Sequence, residues 1–298
     1  MFRSPNRLTG QSTSQSITAA DEATAAPGWA PAERMRLMRG GRPLKRWRYV
    51  GVFSEELMAC AALVQVGPAR QSFWAVYRRE ADELYERTRM LPRRGELHLS
   101  RGEHGQAGRL LLRDRGLTLH LELAEEAGVE AFCTHGEQHV WTRKQAGVAA
   151  YGTLAIEGEQ ARSVTARAVI DDTAGYHSRH TEWWWSAGVG RGLDGTPLAW
   201  NLVSGVNDPP TGSERAVWID GEPREVPPVE FSGDLRRICG ADGSELRFHA
   251  EAERARHENL LILKSDYRAP FGAFSGSLPG GIAVAHGLGV VEHHRARW

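Results

Sequence analysis

Apolar and polar side chains alternate along most of this chain. The segments RWRYVGVF (46–53), GELHLS (95–100), GRLLLRD (108–114), LTLHLEL (117–123), SVTARAVI (163–170), TPLAWNLV (196–203), ERAVWID (214–220) and ELRFHAEA (245–252) all show a period of two. That period sends successive side chains to opposite faces of a strand. Asp-Gly pairs at 194–195, 220–221 and 242–243 mark tight hairpin turns between such segments. Helical spacing is scarce. PAERMRLMRG (31–40) predicts one short helix, and EADELYERTRM (80–90) fits either a helix or an edge strand. Many short strands set apart by turn residues predict an all-β protein, a sandwich or a barrel.

The pattern also occurs twice. RWRYVGVFSEELMACAALVQVG (46–67) matches EWWWSAGVGRGLDGTPLAWNLVSG (182–205), with Trp47 and Tyr49 answering Trp183 and Trp185. FWAVYR (73–78) then matches RAVWID (215–220), and LTLHLELAEE (117–126) matches ELRFHAEAER (245–254). Last, WTRKQAGVAAYGTLAIEG (141–158) matches YRAPFGAFSGSLPGG (267–281). Correspondences in one order predict two tandem antiparallel β units of about eight strands, each able to enclose a cavity. The expected division is a disordered segment 1–40 carrying the short helix, a first unit 41–160 and a second unit 161–298, with 159–182 as the hinge.

Composition narrows the functions. Over 298 residues, 41% are hydrophobic and 25% charged, and the formal net charge is +0, which fits a globular protein and offers no basic footprint for nucleic acid. Of the basic residues only Lys45, Lys144 and Lys264 are lysine. Cys60, Cys133 and Cys239 are widely spaced and form no C-x-x-C pair, so neither a disulfide framework nor a zinc cluster is indicated. The run LMACAALVQV (57–66) is too short for a membrane helix, and residues 1–28 lack the apolar centre of a signal peptide. The expectation is a cytoplasmic protein with no integral membrane segment.

Several motifs carry no chemistry in this context. Gly190-Arg-Gly192-Leu-Asp-Gly195 satisfies G-x-G-x-x-G, yet a hairpin turn and strand follow it where a dinucleotide site needs a helix. His135 and His139 are four apart, which on a strand separates them by about 13 Å. No metal and no cofactor is expected.

The densest chemistry is DDTAGYHSRHTEWWWSAGVGRGLDG (171–195). On a strand, Trp183 and Trp185 share a face with Thr181, and Trp184 shares the other with Glu182. Tryptophans so placed either fill a core or wall an apolar pocket, and in a barrel interior they do both. Asp171, Asp172, His177, Arg179, His180 and Glu182 have two readings. One is a structural clamp, with an Asp172–Arg179 ion pair and Tyr176 as a turn anchor. The other is a carboxylate and imidazole beside an apolar cavity, where burial raises the carboxyl pKa and makes it a proton donor. Asn201, Asn207-Asp208 and Lys144 could converge there. In the closing strand GLGVVEHHRARW (287–298), Glu292 and His294 share one face.

The run D-D-x-x-G-Y-H-x-R-x-T-x-W-x-W, with NLVSGVND (201–208), SERAVWIDG (213–221), PFGAFSGSLPGG (270–281) and the closing strand, resembles a bacterial family defined only as a domain of unknown function. More remotely, the E-W-W-W strand and the duplicated layout look like the carotenoid 1,2-hydratase (hydroxyneurosporene synthase) group. That resemblance implies two lipocalin-like, or calycin-like, β domains that bind polyene or isoprenoid molecules within or between them. It also implies acidic residues that protonate or position the ligand, matched loosely here by Asp171-Asp172 and Glu182.

Two functions stay open on these grounds. The first is a cofactor-independent hydratase, isomerase or cyclase acting on an apolar small molecule. Asp172 would donate the proton, His177 or Glu292 would orient it, and Tyr176, Arg179, Glu182, Trp183, Trp185, Asn201 and His294 would contact the substrate. The second is a non-catalytic carrier of a lipid or hydrophobic metabolite that uses the same aromatic wall without the acids.

Overall fold

The computed structural model describes residues 35–102, 106–135, 138–260 and 263–297. The disorder expected for residues 1–34 lies outside them. A ribbon of β1 (Met38–Arg39) and β2 (Arg42–Pro43) precedes two large sheets. The first sheet holds β3 (Lys45–Phe53), β4 (Leu57–Val66), β5 (Ala69–Arg78), β6 (Glu83–Arg89), β7 (Leu97–Ser100), β8 (Gly108–Asp114), β9 (Leu117–Leu123), β10 (Val129–His135), β11 (Gln138–Ile156) and β12 (Arg162–Gly175). The second holds β13 (His180–Arg191), β14 (Pro197–Ser204), β15 (Ala216–Ile219), β16 (Glu222–Glu225), β17 (Val229–Phe231), β18 (Arg237–Gly240), β19 (Glu245–Leu260), β20 (Leu263–Leu278) and β21 (Ile282–Arg297).

The two sheets are topological copies. The first runs β6-β5-β4-β3-β12-β11-β9-β8-β7, and the second β16-β15-β14-β13-β21-β20-β19-β18-β17, with β10 an addition to β11 in the first alone. Each curls into a half-barrel, so the chain is all-β and built of tandem lipocalin-like units. The turn chemistry follows the sequence: Asp220 (φ 51) and Gly221 (φ 85) are both left-handed and form the two-residue loop between Ile219 and Glu222, as a type I′ hairpin requires.

Two local expectations change. Residues 35–40 contain no helix, and Met38–Arg39 pairs with Arg42–Pro43 instead, where positive φ at Gly40 and Gly41 closes a hairpin. EADELYERTRM forms the edge strand β6, paired only to β5. β12, which follows the expected division at 160/161, is hydrogen-bonded between β3 and β11. The chain changes sheet at residues 176–179.

Central strands are buried on both faces, which explains the near-continuous apolar runs of β4 and β14. One face of the first sheet packs Val50, Val52, Leu110, Leu112, Leu119, Leu121 and Ile170 into its own core. One face of the second packs Leu198, Trp200, Leu202, Phe248 and Phe274 likewise. Both interiors are lined by these buried side chains. The opposite faces meet each other in a shared core that includes Tyr49, Phe53, Met58, Val169, Trp185, Val189, Trp218, Phe271 and Val290.

Candidate functional site

The strands of highest interest are β3 and β12 in the first sheet and β13 and β21 in the second. Tyr49 lies directly across from Asp171, and Trp185 lies directly across from Glu292. Period two puts all four side chains on the faces that meet. Tyr49 and Trp185 touch edge to face, with ring centroids 5.3 Å apart, so the two carboxyl-bearing strand pairs abut at this contact.

The tryptophan two positions before each of these rings completes a repeated motif. Trp47 Nε1 donates to Asp171 Oδ2 at 2.9 Å. Trp183 Nε1 donates to Glu292 Oε1 at 2.8 Å. The two halves therefore present the same unit, an indole holding a carboxyl from the neighbouring strand.

The environments of the carboxyls differ. On the far side of Asp171, β11 supplies Lys144, whose ammonium lies 2.7 Å from Asp171 Oδ1 and 3.3 Å from Glu214 Oε1. Thr173 Oγ1 also donates to Asp171 at 2.8 Å. Asn207 donates to Glu214 at 3.1 Å, and Asn201 donates to the Glu214 carbonyl at 2.8 Å while accepting from Trp185 Nε1 at 2.8 Å. Burial presses Lys144 downward, but its two carboxylate neighbours outweigh that, and its pKa lies above the ordinary value. A buried ammonium with two carboxylate neighbours stays charged.

Beside Glu292 the equivalent strand β20 carries Ala269 and Pro270, between the pairs Arg268–His293 and Phe271–Val290. An alanine and a proline offer no charge. Glu292 is 9% exposed, and burial pushes its carboxyl up to about 7 against the opposing hydrogen bonds from Trp183 and Tyr267. The Asp171 charge pushes the same way, and the Arg254 guanidinium pulls the other. Arg254 sits 4.2 Å from the Phe73 ring centroid and 5.0 Å from that of Tyr267, and bonds Thr88 at 2.6 Å.

Half-buried aromatics rim these acids. Trp47, Phe73, Trp183, Tyr267 and His294 all retain partial exposure. The His294 ring lies 4.3 Å from Trp183 and 5.4 Å from Tyr267, and its Nε2 is 2.9 Å from Ser265 Oγ. Burial, with Lys45 near by, holds the His294 imidazole down to about 3, so it is neutral. An open, polar concavity of about 480 Å³ bordered by Arg78, Glu159 and Arg162 is elsewhere, at the far end of β12 and about 30 Å of strand from Asp171.

The residues singled out from sequence thus divide. Trp183, Trp185, Asn201, Glu292 and His294 come together at the junction. His177 is close, stacked on Trp47 at 5.3 Å. Asp172 points to the opposite face, into the first core beside Ile170. There it accepts from Arg48 at 3.0 and 2.8 Å and from Arg143 at 3.1 Å, with Arg101 at 3.3 Å. Arg48 also pairs with Glu125. Ion pairs with these arginines, rather than with the expected Arg179, hold Asp172, while Arg179 is exposed. Tyr176 anchors the chain before β1 by donating to the Arg36 carbonyl at 2.8 Å. Glu182 is a surface partner of His293 and Arg295, at 3.0 and 2.7 Å. Asp171, Tyr267 and Trp47 join the site. The Trp47–Trp183 correspondence, carried one strand further, would have pointed to Asp171 and Glu292.

A duplicated half-barrel with an acid-bearing aromatic junction is the class that fold and geometry define. The chain belongs to the family described as a domain of unknown function, DUF2804, whose model matches residues 107–298. No curated protein matches it. Among solved structures it is similar to a protein of Nitrosomonas europaea assigned as AttH, at 14% identity and a TM-score of 0.57, covering 90% of this chain and 98% of that one. It is also similar to kievitone hydratase from Nectria haematococca, at 13% identity and a TM-score of 0.56, covering 84% and 88%. The likeness is one of fold.

Proposed function

We propose that the junction binds an apolar, unsaturated small molecule and that Glu292 protonates it, in a cofactor-independent hydration, isomerisation or cyclisation. The observation that carries this reading is Glu292 itself: a buried carboxyl, bonded by Trp183 and Tyr267, whose pKa of about 7 keeps a large share of it protonated at neutral pH. An acid of that strength matches the pH at which it must both give and regain a proton. Protonating an alkene creates a carbocation, and the faces of Trp47, Trp183 and Tyr267 offer π density to stabilise it. The fold shared with a hydratase supports the same chemistry by analogy.

The test is turnover of geraniol, farnesol and squalene in ¹⁸O-labelled water, read by mass spectrometry. Wild-type protein is expected to incorporate label into at least one of them, and Glu292→Gln to lose a hundredfold or more of that rate, on the order of a general acid's contribution. Binding of these molecules with no turnover, unchanged by Glu292→Gln, would instead identify a carrier.

A further inference from the structure

We propose that Asp171 is the second catalytic group of this site, the proton acceptor opposite Glu292, and that Lys144, whose ammonium lies 2.7 Å from it, is its positioning residue. The inference rests on the reading of Glu292 as donor and extends it to a pair. Duplication supplies the argument. The same position of the same strand in each half carries a carboxyl, held by the same indole two residues before the same junction ring. Two carboxyls in equivalent surroundings divide donor and acceptor only by sharing one proton, whereas unequal surroundings fix which of them gives and which takes. The strands behind them differ by one kind of residue: β11 offers Lys144 at 2.7 Å from Asp171, and β20 offers Ala269 and Pro270 at the matching place. An ammonium in ion-pair contact with Asp171, against only the longer-range pull of Arg254 on Glu292, sets the two carboxyls apart, which separates acid from base.

The remaining charged and titratable groups around the pair fit that division. Glu214, in the loop before β15, shares the Lys144 ammonium at 3.3 Å, farther than Asp171 at 2.7 Å, and burial raises its pKa. Tyr49 and Tyr267 are held neutral far above their usual range by burial, and burial lifts the Cys60 thiol to about 11. His294 is neutral, and Lys45 on β3 is drawn down to about 6 by burial and Arg42. Arg254 keeps its charge over Phe73 and Tyr267.

The step balances without a co-reactant other than water. An alkene π pair takes the Glu292 proton and forms the new C–H bond. The oxygen of water bonds to the adjacent cationic carbon, and Asp171 accepts the surplus proton from that oxygen. Water has been added, nothing has been oxidised or reduced, and return of the proton from Asp171 to Glu292 through solvent restores both groups.

Infrared difference spectroscopy of the full chain between pH 5 and 9 tests the pair without a substrate. Wild type is expected to show a protonated carboxyl band titrating near pH 7 that is absent in Glu292→Gln. In Asp171→Asn the Glu292 midpoint should move to lower pH, because a neighbouring negative charge is gone. In Lys144→Met a second protonated carboxyl band should appear, because Asp171 has lost its cation. If Asp171→Asn does not fold, the double variant Asp171→Asn with Lys144→Gln removes both charges while retaining hydrogen-bonding groups, and the Glu292 midpoint should fall there too. A wild-type protein with no such band would overturn the assignment of Glu292 as donor. A band present in wild type but unmoved by loss of Asp171, or a single band in Lys144→Met, would overturn the pairing and leave the donor standing. For whichever of the three probes is turned over, Asp171→Asn should flatten the acidic limb of the pH–rate profile, an effect that simple loss of packing does not produce.

Discussion

Glu292 must also leave a mark on stability, because its pKa differs between the folded and unfolded chain. Its folded value of about 7 lies above the ordinary carboxyl value of 4.5. Between those two pH values the folded state binds more protons than the unfolded one, so this residue's contribution to stability is fully present below about 4.5 and is lost as pH rises through about 7. The difference amounts to about 3 kcal/mol. His294 acts in the other direction: its folded pKa of about 3 lies below 6.5, and stability from that group rises with pH across that interval. Chemical denaturation of wild type and Glu292→Gln between pH 4 and 8 separates the two. The stability of wild type relative to the variant should fall by about 3 kcal/mol over that range. A constant difference would show that Glu292 titrates alike in the folded and the unfolded chain. Asp172 makes the opposite case. Its carboxylate is 1% exposed and contacts three guanidiniums, so Asp172→Asn should lower the unfolding free energy by about 3 kcal/mol by leaving those cations uncompensated. A calorimetric shift near zero would mean that the arginines rearrange freely.

At the level of the element, what could be read from sequence and what could not have one cause. Alternation is a local property of the chain, and strands such as Gly108–Asp114 and Leu117–Leu123 start and stop where the pattern does. Which face of a strand meets the partner domain is not local. Asp171 and Asp172 are neighbours on β12 and therefore point to opposite sides, one to the junction and one to the arginines of the first core, and a shift of one residue exchanges them. Sequence reading favoured Asp172 as the donor because nothing within 171–182 distinguishes the two faces. Glu292 and His294 were legible because their shared face follows from spacing alone. Lys144 was among the polar groups expected to converge there, but Glu214 enters from a loop of the other sheet, and no spacing rule connects it with Lys144. Close strand packing was equally invisible. Gly188 faces Trp200, and a methyl group there would meet the indole Cζ2 at 2.3 Å and the Leu288 carbonyl at 2.7 Å. Trp200 is fully buried and its Nε1 donates to Ser186 Oγ at 3.1 Å, so it has no room to retreat. Gly188→Ala should cost about 2–3 kcal/mol through overpacking, read as a lowered urea midpoint with unchanged slope.

For the whole molecule, the shared face decides whether the halves are independent. Each sheet has its own core, and by that measure each could fold alone. Each also carries a second apolar face, with Tyr49, Phe53, Met58 and Val169 on one side and Trp185, Val189, Trp218, Phe271, Leu288 and Val290 on the other. A face of that character is too large and too apolar for an exposed surface. The polar clasp outside it is modest. Arg79 forks onto Glu251 at 2.8 and 2.9 Å, and Glu55 bridges Arg79 and His286 at 2.8 and 2.9 Å. Such partly exposed pairs are worth about 1 kcal/mol or less each, so the apolar contact and the buried Lys144–Glu214 pair dominate the union. The full chain should therefore unfold in one calorimetric transition. Residues 1–178 and 179–298 made separately should bind a hydrophobic dye strongly or aggregate, and should recover weak dye binding when produced together. Two soluble, dye-silent halves would mean that the junction is an optional contact. Residues from both halves would then meet too briefly to hold Asp171 and Glu292 in fixed positions at the junction.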